Sequence, residues 1–218
     1  MRIGVAMNGG RGSGTTHGAE DTTVSASVSR APFFLLGLLL AAPTWAQADG
    51  KDRMVERRAI EAAVCGMPIV NFQAMRDGLK KDAGVGYNDI AYNSKVQTWR
   101  LRMTTNNNTT PYIFIFWNVK DGPVVVDIPP STKDVGIFGT LMDAWQRPLE
   151  DVGAKGKDQG RGAKYLIVPP GYQGPYPQGY ITLPQLTFNG YTTFRPIIDG
   201  PTDVTLKKTT SFVTTITV

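Results

Sequence analysis

The sequence has little of the two residue types that most often carry catalysis and metal binding. Among 218 residues there is one cysteine, Cys65, and one histidine, His17. A single cysteine excludes an intrachain disulfide, and a lone thiol is more often a small buried hydrophobe than a nucleophile. If His17 is removed with a leader, histidine relays and histidine-bound metals are excluded as well. We therefore expect no cofactor and no metal site. The scarcity of cysteine and histidine leaves open only metal sites made of oxygen ligands.

Long apolar runs are also absent. The longest, residues 33–42, follows Arg30 and precedes Ala46 and Ala48, which are small residues at the −3 and −1 positions of a cleavage site. A run of about ten residues is too short to span a bilayer and is typical of a secretory signal. We expect cleavage between Ala48 and Asp49, a periplasmic or secreted location and no membrane span afterwards. The alternatives are a buried core helix and an uncleaved anchor.

The glycine-rich stretch at residues 8–16 lacks the lysine of a phosphate-binding loop, because Thr15 and Thr16 follow Gly14. We interpret residues 1–48 as a leader with a signal peptide. The net charge of +5 is spread along the chain. Nucleic-acid binding normally needs a denser basic stripe, so we expect no nucleic-acid partner.

The chain does contain strong strand signals. Residues 112–119 are almost wholly β-branched or aromatic, and residues 123–128 form a second apolar run after the turn Lys120-Asp121-Gly122. We expect these two strands to pair as a β-ribbon with both faces covered. Further strands are predicted at residues 96–103, 136–145, 163–168 and 191–198.

Residues 51–81 show helical spacing of apolar positions, and Gly66 and Pro68 predict two helices or a kinked one. Residues 82–94 are predicted to be a loop. The fold class is therefore mainly β, an antiparallel β-sandwich preceded by an N-terminal helical segment, within residues 49–200. Residues 201–218 are interpreted as a tail, the start of a truncated second domain.

Three stretches resemble a known family in order and spacing: residues 106–112, residues 122–129 and residues 160–172. The chain resembles the exported bacterial proteins that carry the domain of unknown function 1254, over about residues 51–198. The resemblance implies a β-sandwich in a signal-bearing, periplasmic protein and brings no reaction with it. It also implies a second β domain, numbered 1214, which would follow about Val218 and is missing from this sequence. That domain is the one expected protein partner.

Two groups of polar residues are candidate ligand contacts. Asn106, Asn107 and Asn108 could present amide groups to a small molecule, or could instead satisfy backbone groups in a turn. Trp145, Arg147 and, in a later loop, Arg161 could clamp an anionic or sugar-like ligand. An Arg-carboxylate pair that fixes the loops is the alternative for the arginines.

Two hypotheses for function follow. The first is an exported binding or structural module for a small molecule or an envelope partner. The second is a carboxylate-dependent hydrolase of envelope sugars, in which Asp127 and Asp143 form the acid/base pair that a glycoside hydrolase requires. Whether the protein is an enzyme is left open by the sequence.

Overall fold

The computed structural model describes residues 3–4, 50–97 and 107–218. Two compact units are distinguished, residues 1–9 with 64–218 and residues 10–63. In the second unit only residues 50–63, the beginning of the first helix, are described, and all of them are exposed. The helices are α1 (Gly50–Ala83) and α2 (Asp203–Val213). The strands are β1 (Ile3–Gly4), β2 (Asp89–Asn93), β3 (Tyr112–Asn118), β4 (Val124–Ile128), β5 (Gly136–Asp143), β6 (Pro148–Gly153), β7 (Ala163–Val168), β8 (Tyr180–Pro184) and β9 (Asn189–Ile197).

Within the described residues these strands form two sheets. The larger has the order β1-β2-β3-β9-β5-β6 and the smaller the order β4-β7-β8. Most neighbours are antiparallel, while β1 with β2 and β7 with β8 are parallel. The predicted fold class, a mainly β sandwich preceded by a helical segment, is confirmed.

The strand β3 is covered on both faces, as its composition predicts. Because side chains alternate along a strand, Ile113, Ile115 and Trp117 enter the core between the two sheets. Phe114 and Phe116 join a second cluster on the outer face, where Phe72 of α1 packs at 5.4 Å between ring centroids from Phe116. The domain therefore has three layers: α1, the larger sheet and the smaller sheet.

Some predicted elements are wrong. The strands β3 and β4 do not form a ribbon, because β3 pairs with β2 and β9 whereas β4 pairs with β7 in the other sheet. The helix α1 is continuous and contains Pro68, although two helices or a kinked helix were predicted here. Residues 89–93 are the strand β2 and not a loop. The strand predicted at residues 96–103 lies mostly outside the described residues.

The residues after Gly200 contribute to the same core as the sheets. Phe212 and Val213 of α2 and the following Ile216 are buried in the cluster between the sheets. Thr217 also forms an antiparallel bridge with Asp127, with backbone hydrogen bonds of 2.9 and 3.2 Å. The stretch interpreted as a separate tail thus packs against the sandwich.

Candidate functional site

The turn that follows β5 is held by one buried carboxylate. Asp143 is 0% exposed, and its Oδ1 accepts hydrogen bonds from the backbone N–H groups of Trp145 and Arg147 at 2.9 and 3.0 Å. Its Oδ2 accepts Arg147 Nε at 2.7 Å and lies 2.5 Å from Nη2. The carboxylate therefore has charge-assisted partners at both oxygens, and the turn is locked around it.

Gln146 completes this turn in the left-handed backbone region, with φ of 59°. Its side-chain Nε2 donates to the carbonyl oxygen of Pro68 at 3.1 Å. The turn is consequently attached to α1 as well as to the larger sheet. A segment fixed at both ends can present a side chain in one orientation.

A second turn, between β8 and β9, is tied to the first one. The Ala144 N–H donates to Asn189 O at 3.0 Å and lies 3.2 Å from Thr187 Oγ1. Phe188 O accepts the Val119 N–H at 2.9 Å, so the backbone of this turn is also anchored to the end of β3. The two turns form one hydrogen-bonded unit at this end of the sandwich.

The two anchored turns expose apolar side chains. Trp145 is 46% exposed, Phe188 is 48% exposed, and Leu186 is exposed still further. Such residues scattered singly need no explanation, but three on adjoining turns form a surface of the kind that marks a binding site. We name the side chains of Trp145, Leu186 and Phe188 the aromatic end.

Asparagines lie on the adjoining strand ends. Asn118 Nδ2 donates to Asn189 Oδ1 at 2.6 Å, and the Asn118 N–H donates to Asn88 Oδ1 at 3.1 Å. These amides connect β2, β3 and β9 at the end of the sheet where Trp145 and Phe188 lie. The aromatic end thus has amide groups and the half-exposed Arg147 guanidinium at its border.

The other predicted ligand residues lie elsewhere. Asn106 lies outside the described residues. Asn107 closes a turn, because its Oδ1 accepts the Thr109 N–H at 2.8 Å and its Nδ2 donates to Thr110 Oγ1 at 2.7 Å. Asn107 therefore stabilises a turn, which was the alternative to ligand binding. Asn108 is exposed. Both precede β3 and lie at the end of the larger sheet opposite to Trp145.

Arg161 is exposed in the loop between β6 and β7. This loop is held by the buried carboxylate of Asp158, which accepts the N–H of Gly153 at 2.7 Å and that of Gly162 at 3.3 Å. Gly153 pairs with Phe138 near the start of β5, whereas Arg147 follows the end of β5. The structure therefore brings Trp145 and Arg147 together and leaves Arg161 at the other end.

The two carboxylates of the predicted acid/base pair are not brought together. Asp127 lies in β4 of the smaller sheet, 3.7 Å from Lys164, and Asp143 ends β5 of the larger sheet. Ser131, four residues after Asp127, lies beside Gly136 at the start of β5. Asp143 is at the other end of that strand, whose eight residues span roughly 25 Å at about 3.3 Å each. A hydrolytic pair needs a separation of about 5–10 Å.

Phe188 and Leu186 were missed by the sequence analysis. The signal that could have found them is a pair of apolar residues between Pro184 and Gly190, where turn residues are expected. Aromatic residues in another loop are not all available to a ligand. In the loop after β7, Tyr172 and Tyr176 pack on one another, with ring centroids 5.8 Å apart. The local sequence does not tell whether an aromatic loop residue is exposed or packed, because this depends on neighbours distant in the chain.

Two features of the described residues bear on membranes and metals. No helix there is both long and apolar enough to cross a bilayer. In the same parts of the chain, no three or more His, Cys, Asp or Glu side chains are grouped so that they could hold a metal ion.

Comparison with known proteins supports the fold and a family. The model of a family described as "Protein of unknown function (DUF1254)" matches residues 87–218. Among solved structures, the chain is similar to the VPA0106 protein from Vibrio parahaemolyticus, with 14% identity and a TM-score of 0.56. The match covers 72% of this chain and 36% of that one, so this chain spans about a third of that protein's length. No curated protein matches.

Proposed function

The chain belongs to the DUF1254 family, and on that premise we propose that it is an exported binding module that holds a ring-bearing ligand of the cell envelope against the aromatic end. A sugar ring is the ligand class that fits best. One face of a sugar ring can lie on an aromatic side chain while its hydroxyl groups meet amides and a guanidinium at the border. The family description names no reaction, so the proposal depends on the chemistry of this surface.

The observation that carries the proposal is the rigid exposure of two aromatic side chains from two joined turns. Trp145 and Phe188 are each about half exposed, although both of their backbones are anchored by hydrogen bonds. A turn whose backbone is already ordered loses less conformational entropy when a ligand binds to its side chains. Exposed apolar area on mobile loops would not offer this advantage.

Export rests on the sequence. The apolar run at residues 33–42 and the small residues before Asp49 support a secretory signal, and a periplasmic protein would meet envelope sugars. The second β domain that the family resemblance implies is likewise part of the proposal. It would act as a neighbour of the binding module and would not be needed for the aromatic end to exist.

The hydrolase alternative gains no support from the described residues. Asp143 is fully buried and committed to Arg147 and to two backbone N–H groups. Asp127 lies beside Lys164 in the other sheet. Neither arrangement leaves a proton donor facing a general base across a substrate-sized gap.

The test is thermal unfolding of the full chain with a panel of envelope oligosaccharides, aromatic acids and phosphates. A ligand at about 100 times its dissociation constant should stabilise the folded state by about 2.7 kcal/mol. In the same samples the ligand should reduce acrylamide quenching of tryptophan fluorescence in the wild-type chain and leave it unchanged in Trp145→Phe, a comparison that isolates Trp145 from the other three tryptophans.

Two substitutions locate the ligand. Phe188→Ala should weaken binding about two- to tenfold, which is the contribution of one aromatic ring contact. Phe138→Ala is the matched control, since Phe138 is 45% exposed near the opposite end of β5. Equal weakening by both variants, or no stabilisation by any sugar, would contradict the proposed function.

A further inference from the structure

A concave surface lies between α2 and the turn that follows β2, at the other end of β2 from Asn88. Its volume is about 240 Å³. Six residues line it: Ser94, Lys95, Asp203, Leu206, Lys207 and Thr210. We name it the α2 cleft, and its position separates it from the aromatic end.

One face of α2 forms one wall of the cleft. Asp203, Leu206, Lys207 and Thr210 recur at helical spacing, and such residues lie on the same side of a helix. The opposite face of α2 carries Thr209, Phe212 and Val213, which are buried. The helix is therefore fixed in rotation by its core contacts, and the residues that line the cleft are held toward the turn at Ser94.

The cleft carries cations without counter-charges. Among the described residues, neither Lys95 nor Lys207 forms an ion pair. By contrast the adjacent Lys208 lies 2.9 Å from Asp134. Asp203 is the one acidic residue of the lining, and it lies in the first turn of α2, where a carboxylate complements the helix dipole. With two lysines and one aspartate, the lining has a net formal charge of +1.

Hydroxyl groups complete the lining. Ser94 and Thr210 both contribute to it, and Thr210 Oγ1 donates to Leu206 O at 2.9 Å. Next to Thr210 lies the phenol of Tyr92, whose hydroxyl is buried without a hydrogen-bond partner of good geometry in the described parts of the chain. A polar group of this kind costs free energy when it is left unpaired, so the layer behind Thr210 contains a polar atom that is not part of the lining.

We propose that the α2 cleft binds a small oxyanion, a phosphate or a carboxylate, through the ammonium groups of Lys95 and Lys207. Two cations from separate elements, with the Ser94 hydroxyl beside them, are the chemistry that recognises such an anion. The volume corresponds to about eight waters at about 30 Å³ each and is below the roughly 300 Å³ of drug-sized sites. A compact anion fits this space.

The experiment is a two-dimensional ¹H-¹⁵N NMR titration of the full chain at constant ionic strength. Inorganic phosphate and succinate are the two probes, and sodium chloride is the reference salt. The expected result is saturable shifts of the backbone amides of Ser94, Lys95 and Asp203 to Thr210 with phosphate, with succinate or with both. Whichever probe saturates at the lower concentration identifies the group that the cleft prefers.

Three single substitutions fix the sign of the charge that is recognised. Lys207→Gln should weaken the binding of the anion about fourfold, as expected for one unit charge at about 5 Å in water. Asp203→Asn should tighten it by up to about the same factor. Lys208→Gln is the matched control and should leave the affinity unchanged, because Lys208 is already paired with Asp134.

Three results would overturn the proposal. The shifts could remain linear with concentration for both probes, as for a diffuse ion atmosphere. Lys207→Gln and Lys208→Gln could weaken binding equally, which would indicate net charge and not a site. Asp203→Asn could weaken binding of the anion, which would mean that the charge of the lining does not determine the affinity. Binding at the aromatic end is measured with other ligands and variants, so either proposal can fail alone.

Discussion

The buried carboxylate of Asp143 offers the sharpest test of the structure, because the same residue was a candidate acid or base. In Asp143→Asn, the Asn Oδ1 can still accept the N–H groups of Trp145 and Arg147. Its amide nitrogen, however, replaces the oxygen that Arg147 Nε approaches at 2.7 Å. A hydrogen bond to a charged group contributes about 1.5–3 kcal/mol, and the new pair would place donor against donor. We expect the free energy of unfolding to fall by about 1.5–3 kcal/mol.

The partner substitution should cost at least as much, for a different reason. Arg147→Ala leaves the carboxylate of Asp143, which is 0% exposed, without its cation, and breaking a buried pair costs about 3–5 kcal/mol. Because half of Arg147 is exposed and two N–H groups still serve Asp143, we expect the lower end of that range. The double variant should lose less than the two single variants together, since both remove one interaction.

The assay is urea-induced unfolding followed by circular dichroism, with Asp127→Asn as the control. Asp127 is partly exposed and lies 3.7 Å from Lys164, so its ion pair should contribute less than about 1 kcal/mol. If Asp143→Asn and Asp127→Asn had equal effects, the account of a carboxylate that locks the turn would be refuted. Loss of a measured turnover with unchanged stability would instead return Asp143 to the role of a catalytic acid.

Three further predictions concern the core. In Gly190→Ala the added Cβ would lie 2.5 Å from the Trp117 ring, so urea unfolding should show a loss of more than about 2 kcal/mol. Ile216→Ala removes a fully buried side chain beyond α2, and the same assay should give a loss of about 2–5 kcal/mol; an unchanged stability would show that the tail is not part of this core. Burial raises the pKa of Tyr165, so the folded state keeps a proton that the unfolded state loses above pH 10, and stability should fall as pH rises. Tyr165→Phe should reduce this alkaline slope by up to about 1.4 kcal/mol per pH unit in unfolding measured from pH 9 to 11.

Elements whose burial is visible in their own composition could be predicted from the sequence. Residues 112–119 carry apolar side chains at consecutive positions, and the strand β3 is indeed covered by α1 on one face and by the smaller sheet on the other. The predicted strand at residues 163–168 corresponds to β7 for the same reason. The predicted strands at residues 136–145 and 191–198 correspond to β5 and β9, each of which has some exposed positions. Local pattern is sufficient where both faces of a strand are apolar.

Pairing between strands could not be predicted in this way. The turn Lys120-Asp121-Gly122 suits a hairpin, yet the Val119 N–H donates to Phe188 O, and the chain crosses to the other sheet before β4. A glycine in the turn permits both paths, and contacts with residues about 70 positions later decide between them. For the same reason β2 was assigned to a loop, since the Asn and Gly residues around Ile90 and Tyr92 conceal a strand of five residues.

The candidate site shows the same division between local and distant information. Asp143 and Arg147 are both candidate residues in the sequence, with an Arg-carboxylate pair as one alternative for the arginine. The two residues do form an ion pair, four positions apart. Phe188 reaches that turn only because β9 pairs with β5, so that Asp143 lies opposite Gly190. Chemistry alone grouped Arg161 with Trp145, and the strand directions place Arg161, like the separate candidate Asn107, at the other end of the sheet.

The separation of the two proposed sites limits how they can influence one another. Asn88, beside the aromatic end, and Ser94, in the α2 cleft, lie at opposite ends of β2, whose five residues span about 16 Å at about 3.3 Å each. Charges at the surface are largely screened beyond about 8–10 Å at physiological salt. Lys95 and Lys207 therefore cannot attract a ligand to Trp145 directly. The strand β2 connects the two surfaces, and its three central residues are buried. Substitutions in one site should consequently leave affinity at the other unchanged, and each surface can be assigned its own ligand.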